Sequence, residues 1–261
     1  MYPPGVELAD KIAESFLAPV DSALPAHDLR VIERDGWYQT ITPSTRSVQG
    51  NEVIYSRVAA ADAERVARET IAGYAALGLP FKWCVGPLTE PHDFGALLER
   101  LGFEHWPVRG MAIEPQRWTY RPRGDITVER VRPASFEDHF RTLVAGWAME
   151  LAEASRLKSS MARALAAGRH LMYTARVGGE PVGTAGMIVK ARSVYLVGGN
   201  VLESHRGRGI YRALIGARLR EAAASGVSLA TTQAREATSA PILERLGFET
   251  LFRSVVYKWQ P

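Results

Sequence analysis

The spacing of apolar and polar residues predicts alternating helices and strands in the second half of the chain. Apolar residues recur with helical spacing directly after Gly209. They are Ile210, Ala213, Leu214 and Ala217. Short apolar runs bounded by turn residues are typical of strands. They predict strands at 126–131, 171–177, 182–189, 194–201, 227–233 and 254–259, with further helices at 136–154 and 239–246. This order indicates a mixed α/β fold.

The first half of the chain follows the same order more loosely. Helical spacing of Leu8, Ile12 and Phe16 predicts an opening helix. Farther along, the pattern predicts strands at 51–57 and 79–85, with a helix at 59–77 between them.

A repeated heptapeptide relates the two halves. Leu-Glu-Arg-Leu-Gly-Phe-Glu occurs at 98–104 and again at 243–249, 145 residues later. Each copy ends a helical pattern at a glycine, which readily takes the left-handed conformation that closes a helix. Apolar stretches follow both copies, at 108–113 and 251–259. Internal duplication explains this identity better than chance similarity between two helix ends.

The boundary between the halves is indicated by composition. The polar segment 117–125 contains a proline and a glycine and resembles a linker. We therefore predict two domains, at residues 1–118 and 125–261.

Composition and charge narrow the class of protein. The chain has 46% hydrophobic and 23% charged residues, as globular proteins do, and no apolar run long enough to span a membrane. Residues 1–4 lack the pattern of a secretory signal, so we expect a cytoplasmic location. The net charge of +4 suits anionic small molecules but is low for a nucleic-acid-binding protein. Cys84 is the sole cysteine, which excludes an intramolecular disulfide and a cysteine cage for a metal; we expect no metal cofactor.

The segment 201–212 carries the clearest chemical signal. It joins a predicted strand to a predicted helix, and Gly207 and Gly209 remove side chains where a backbone must approach a ligand. The first turn of a helix leaves N–H groups unpaired at the positive end of its dipole. Donors suited to phosphate come from Arg206, Arg208 and Arg212. By itself the loop is either a phosphate site or a tight turn with solvated arginines, and it matches neither the P-loop nor the complete dinucleotide-binding pattern.

With its surroundings, the loop resembles a known family. Arg206 to Tyr211 is similar to the Arg/Gln-x-x-Gly-x-Gly/Ala signature of the GNAT superfamily of acetyl-CoA-dependent N-acyltransferases. The resemblance covers about residues 126–259, including the strand before the loop, the helix after it and the helix that ends in Leu-Gly-Phe. Together with the repeat, it implies two tandem GNAT-like domains with mixed sheets.

The resemblance implies that acetyl-CoA is the co-substrate. The strand edge that pairs with its pantetheine would be Gly199, Asn200 and Val201, and the glycine pair 198–199 is compatible with a bulge there. The pyrophosphate would lie beside Arg206 on the backbone of Gly207, Arg208, Gly209, Ile210, Tyr211 and Arg212.

Several positions depart from the family pattern. Tyr211 stands where the signature has Gly or Ala, so its phenol must point away from the phosphates or narrow their approach. Glu236 replaces a frequent asparagine, and Leu243 replaces the frequent general-acid tyrosine. The family's strand carboxylate falls at Tyr195 or Thr231, depending on the subgroup matched.

The implied reaction is direct attack of an amine on the thioester carbonyl, which requires proton transfer. Tyr195 is the first candidate because its strand should point it at the cleft. Glu203 and Glu236 follow, then His205; water alone could also carry the proton. We expect a small-molecule amine as acceptor, with a protein N-acetyltransferase and a non-catalytic acyl-CoA sensor as alternatives.

The first half has no equivalent of the glycine-rich loop. The corresponding residues 58–66 contain no glycine, and Asp62 and Glu64 would repel a pyrophosphate. We expect this half to bind no cofactor and to help shape the substrate cleft.

Overall fold

The computed structural model describes residues 7–119 and 124–261. Its first half contains α1 (Leu8–Phe16), β1 (Arg30–Arg34), β2 (Trp37–Ile41), β3 (Glu52–Ser56), α2 (Ala63–Ala76), β4 (Phe81–Val85), α3 (Phe94–Arg100) and β5 (Glu104–Ile113). Its second half contains β6 (Ile126–Arg130), α4 (Phe136–Gly146), α5 (Leu151–Ala167), β7 (His170–Val177), β8 (Glu180–Val189), β9 (Val194–Val201), α6 (Ile210–Ala224), β10 (Ala230–Arg235), α7 (Ser239–Arg245) and β11 (Glu249–Trp259). This confirms the mixed α/β class. The N-terminal segment 1–4 and residues 120–123 of the predicted linker lie outside the described residues.

The described chain forms two compact units. The N-terminal unit comprises Glu7–Met111, Gln233–Arg245 and Thr250–Pro261, and the central unit comprises Ala112–Thr232 and Leu246–Glu249. The change of unit at residue 112 lies near the predicted boundary. However, α7 and nearly all of β11, which the prediction assigned to the domain at 125–261, fold with residues of the first half.

The strands of the N-terminal unit have the order β1-β2-β3-β4-β11-β5. β3 and β4 are parallel, whereas β11 is antiparallel to β4, from Val255↔Val85 to Trp259↔Phe81. An aromatic core that includes Tyr74, Phe81 and Trp83 packs beneath α2 and α3. The C-terminal strand therefore completes the sheet of the first half.

The hairpin formed by β1 and β2 was not predicted. Its turn is Asp35-Gly36, a dipeptide typical of hairpins, and Gly36 has a φ of 70°. The exposed positions of β1 lack the alternating apolar pattern, and this obscured the strand.

The strands of the central unit have the order β10-β9-β8-β7-β6. β10 and β9 are parallel, and the other neighbours are antiparallel. α6 packs on β6 to β9 and α4 packs on β8. Among the described residues, no helix has both the length and the apolar character needed to cross a membrane.

The single helix predicted at 136–154 is wrong. The structure has two helices, α4 and α5, separated by a turn in which Ala148 has a φ of 48°. No glycine or proline lies within 147–150, and the local signal that the prediction did not use is Gly146, immediately before the turn. The last residue of α4 is Gly146, where a Cβ would lie 2.6 Å from the Oδ1 atom of Asn200. Close packing on β9 thus accompanies the end of the helix.

Both copies of the repeated heptapeptide adopt the predicted conformation. Gly102 and Gly247 have φ values of 86° and 89° and follow α3 and α7. The leucine that begins each copy, Leu98 or Leu243, is buried. Each copy ends at the glutamate that begins β5 or β11.

Candidate acyl-CoA site

β9 leaves its regular pairing with β8 at the glycine pair. The register joins Gly186 to Val197 and Thr184 to Asn200, so β9 has one more residue than β8 in this interval. The extra residue makes a β-bulge. Gly198 has a φ of 60° at this point, a conformation that glycine adopts without strain.

On its other side, β9 pairs with β10 at its beginning. The parallel register joins Val194 to Ala230 and Tyr195 to Thr231, and no later pair of described residues extends it. On the side of β9 that faces β10, the backbone groups of residues 196–201 therefore lie past the last residue pair with β10. Tyr195 and Thr231, the two positions to which the family's carboxylate corresponds, lie opposite each other where the pairing ends.

The loop after β9 brings its backbone to the start of α6. A 3-10 turn at Glu203–His205 leads into Gly207 and Gly209, whose φ values are 76° and 86°. Gly209 is the N-cap residue of α6, which has no side-chain cap and no acidic residue in its first turn. The first helical bond runs from the Ala213 N–H to the Gly209 carbonyl at 3.0 Å. The first turn of a helix presents N–H groups at the positive end of the helix dipole, so this end attracts an anion.

The outer side of the loop is open and positively charged. A Cβ at Gly207 would meet no atom within 4 Å. The side chains of Arg206, Arg208 and Arg212 are exposed. The Nε atom of Arg206 donates to the Val201 carbonyl over 3.4 Å, which ties the loop to the end of β9.

Tyr211 turns toward the sheet. A Cβ on Gly199 would lie 2.8 Å from Cε2 of Tyr211, so the phenol ring rests against a strand position that must be glycine. Burial raises the pKa of Tyr211 above its ordinary value. The phenol therefore packs on β9.

Arg218 of α6 was missed by sequence reasoning. It is 1% exposed, and its guanidinium donates to the carbonyls of Gly186 at 2.9 Å and Val197 at 3.4 Å, the pair that flanks the bulge. Burial lowers its pKa to about 10, so it stays charged at neutral pH. The spacing of the helix carried a signal that was not used: Arg218 follows Ile210 by eight residues and Leu214 by four, so it lies on the apolar face of α6.

The side chain of Asn200 faces α4. Its Oδ1 atom accepts a hydrogen bond from the Thr184 hydroxyl at 3.0 Å. Its Nδ2 atom is buried without a hydrogen-bond partner among the described residues. The amide therefore belongs to the face of β9 opposite Tyr211, and Thr184 is a second residue that the sequence did not indicate.

The proposed proton carriers have different surroundings. Tyr195 is half-buried in β9. The side chain of Glu203 is 91% exposed and lies 3.9 Å from Arg206. His205 contacts the Ser204 hydroxyl through Nδ1 at 2.9 Å.

Glu236 and Leu243 belong to the N-terminal unit. Arg109 forms an ion pair with Glu236 and lowers the pKa of its carboxyl. A carboxylate held in this way is a weak base, since protonation would break the pair. Leu243 is 1% exposed and is part of the core.

In the N-terminal unit, the crossover from β3 to α2 corresponds to the crossover from β9 to α6. Here another segment of the chain occupies the edge of the strand. β3 also pairs with β4 at its beginning, from Glu52↔Lys82 to Val53↔Trp83. Beyond this point, the backbone of Glu90 donates to the Ser56 carbonyl and accepts from the Val58 N–H, both at 3.1 Å. The indole of Trp83 donates to the Ser56 hydroxyl at 3.0 Å.

The first turn of α2 is acidic rather than open. It contains Glu64, and Asp62 at its N-cap forms an ion pair with Arg65 at 2.8 Å. Across the described residues of both units, no group of three or more His, Cys, Asp or Glu side chains could hold a metal ion.

Comparison with known proteins identifies the class. Residues 134–248 match the model of the Acetyltransferase (GNAT) family. No curated protein matches the chain significantly. Among solved structures, a GCN5-related N-acetyltransferase from Kribbella flavida is similar, with a TM-score of 0.72 and 16% identity over 98% of this chain and 97% of that one.

Two further structures span nearly the whole chain. A functionally unknown conserved protein from Staphylococcus epidermidis ATCC 12228 has a TM-score of 0.73 and 16% identity, covering 94% of this chain and 98% of that one. A tandem GNAT protein from the clavulanic acid biosynthesis pathway has a TM-score of 0.58 and 13% identity, covering 98% and 96%. Residues 134–248 thus match the GNAT acetyltransferase family, and the chain as a whole is similar in fold to a tandem GNAT protein.

Proposed function

We propose that the central unit binds acetyl-CoA and transfers its acetyl group to an amine of a small molecule. The observation that carries this proposal is the glycine loop, which presents the uncapped N-terminus of α6 beside a bulged strand. Both loop glycines have positive φ, and the first turn of α6 lacks acidic residues. Such a helix end suits a pyrophosphate.

The donor would extend from the loop along β9. Its pyrophosphate would lie on the backbone N–H groups of 207–212, near the exposed Arg206, Arg208 and Arg212. Its pantetheine amides would pair with the edge formed by Gly199, Asn200 and Val201, since β10 leaves that edge beyond Tyr195. A strand-edge N–H near Val201 would then polarise the thioester carbonyl.

Attack by the amine requires a base and a proton for the departing thiolate. Tyr195 remains the first candidate, because it stands where β9 and β10 cease to pair. Glu203 is the second, and its exposure suits transfer through water. Glu236 is a poorer candidate, since its ion pair with Arg109 lowers its pKa.

A non-catalytic acyl-CoA sensor is the competing function. Leu243, at the position of the family's frequent tyrosine, is buried in the core and has no proton to donate. A sensor and an enzyme would share the donor site and differ in turnover.

Two measurements on the full chain separate these functions. Calorimetry with acetyl-CoA tests the donor site, and thiol release from acetyl-CoA with a panel of small amines and peptides tests transfer. We expect binding, with thiol release that depends on a small amine. Binding without turnover for every amine would favour the sensor, turnover confined to peptides would favour a protein N-acetyltransferase, and absence of binding would overturn the donor site.

Tyr195→Phe tests the first proton carrier in the same assay. Loss of the hydroxyl should lower kcat by about tenfold or more while acetyl-CoA affinity is retained. An unchanged kcat and pH profile would exclude Tyr195 from proton transfer.

A further inference from the structure

Arg218 is a buried charge with no ion-pair partner among the described residues. It lies on α6, is 1% exposed, and has the second-largest side chain among the fully buried residues. Taking an unpaired charge out of water costs several kcal/mol, and an apolar residue of similar volume often stabilises such a site. The groups that act on its charge are the phenols of Tyr211 and Tyr173. Stability alone therefore does not account for an arginine here.

The hydrogen bonds of Arg218 point to the bulge. Its Nε atom binds the Leu214 carbonyl of its own helix at 3.0 Å, which fixes the direction of the side chain. Its Nη1 atom reaches the carbonyls of Gly186 and Val197, on the two strands where the extra residue begins. Buried carbonyls at a bulge need donors from outside the ladder, and the guanidinium supplies them.

The guanidinium also lies next to the strand edge proposed to bind pantetheine. A Cβ on Gly199 would be 3.7 Å from the Nη2 atom of Arg218 and 2.8 Å from the ring of Tyr211. Both side chains thus support Gly199 from the α6 side. The backbone direction of β9 after the bulge depends on this support, because Gly198 and Gly199 have no side chains of their own to pack.

We propose that Arg218 is a positioning residue for the acyl donor, which holds the β8–β9 bulge so that the backbone of 199–201 is set to pair with pantetheine. The inference rests on the proposed function. Arg218 is thereby assigned to the pantetheine end of the donor and not the nucleotide end, because its hydrogen-bond partners are the carbonyls of Leu214, Gly186 and Val197 and not the loop at 206–209.

The test compares two ligands on the full chain. One is acetyl-CoA, and the other is 3′-phosphoadenosine 5′-diphosphate, which has the nucleotide and pyrophosphate but lacks pantetheine. Arg218→Met removes the donors and the charge with little change in volume. We expect it to weaken acetyl-CoA binding in calorimetry by about tenfold, the effect of losing hydrogen bonds to a charged group, and to leave the fragment's affinity within about twofold.

Arg218→Lys keeps the charge and one flexible donor, so we expect it to recover part of the acetyl-CoA affinity. The matched control is Arg130→Met, which removes an arginine that pairs at the surface with Glu221 at 2.9 Å. The control should leave both affinities unchanged. Arg218→Lys carries the same comparison if the methionine variant does not fold.

The outcomes separate the inference from the proposed function. A wild-type chain that binds neither ligand would overturn the donor site itself. A wild-type chain that binds both, with Arg218 variants that weaken both equally or neither, would overturn the positioning role and leave the donor site standing.

Discussion

Two strand-to-helix crossovers of the chain have the same arrangement of elements and differ in what occupies the edge of the strand. β3 leads to α2 and β9 leads to α6, and each strand pairs with its parallel neighbour over two residue pairs at its beginning. In the N-terminal unit, the backbone of Glu90 then takes the edge at Ser56 and Val58. In the central unit, β9 forms a glycine bulge and the loop opens at the N-terminus of α6.

The difference teaches that a duplicated crossover can be kept while its ligand groups are replaced. Backbone N–H and C=O groups beyond the ladder must find partners. The backbone of Glu90 pairs with these groups at Ser56 and Val58 in the N-terminal unit, whereas a bound ligand is proposed to do so in the central unit. From this comparison we expect one donor site in each chain.

The largest effect is expected from a substitution in the crossover from β9 to α6, which is open at the N-terminus of α6. Gly209 has a φ of 86°, so Gly209→Leu introduces strain and a side chain over the N–H groups of α6. Acetyl-CoA affinity should fall by about 100-fold in calorimetry. Gly226→Leu is the matched control, since Gly226 follows α6 with a φ of 73° and open space around its Cβ position. Equal affinities of the two variants would contradict the proposed site.

A smaller effect is expected from substitutions at the crossover from β3 to α2, whose strand edge is occupied by Glu90. Trp83 is 0% exposed, so Trp83→Phe leaves a cavity and removes the bond to Ser56. The free energy of unfolding should fall by about 2 to 3 kcal/mol in urea titrations, with acetyl-CoA affinity unchanged. Ser56→Ala should cost about 1 to 2 kcal/mol through the unpaired indole N–H. Reduced acetyl-CoA affinity in a folded Trp83→Phe chain would show that the two crossovers are not independent.

The smallest effect concerns the acidic first turn of α2. The double variant Asp62→Asn, Glu64→Gln removes charges that would repel a pyrophosphate. Because the edge of β3 is already paired, we expect the stoichiometry in calorimetry to stay at one acetyl-CoA per chain, with affinity within about twofold. A second binding event, in the wild-type chain or in this variant, would show that the N-terminal crossover is open to a ligand.

Much of the fold was predictable where the signal is local. The strand at 194–201 was predicted with its observed bounds, and the helix after Gly209 begins at Ile210. Glycine at 102 and 247 closes its helix as predicted, because a positive φ is a requirement of the residue itself. The family resemblance implied an opened strand edge at 199–201, and the glycine pair 198–199 is compatible with the bulge that the structure has there.

Other features depend on contacts between elements that are distant along the chain. The break between α4 and α5 follows Gly146, whose close contact is with Asn200 of β9. The spacing of α6 places Arg218 on the apolar face, but its partners Gly186 and Val197 lie on other elements and cannot be read from the helix itself.

The sequence by itself determined the duplication, the order of elements and the glycine loop with its family resemblance. These rest on residue spacing and on backbone conformations that only glycine adopts readily, which are encoded within a few residues. The tertiary structure decided that β11 completes the sheet of the first half, that Glu90 closes one crossover, and that Arg218 lies beneath the bulge of the other. Each of these joins residues far apart along the chain, and the partner is chosen by burial and hydrogen-bond satisfaction in the folded core.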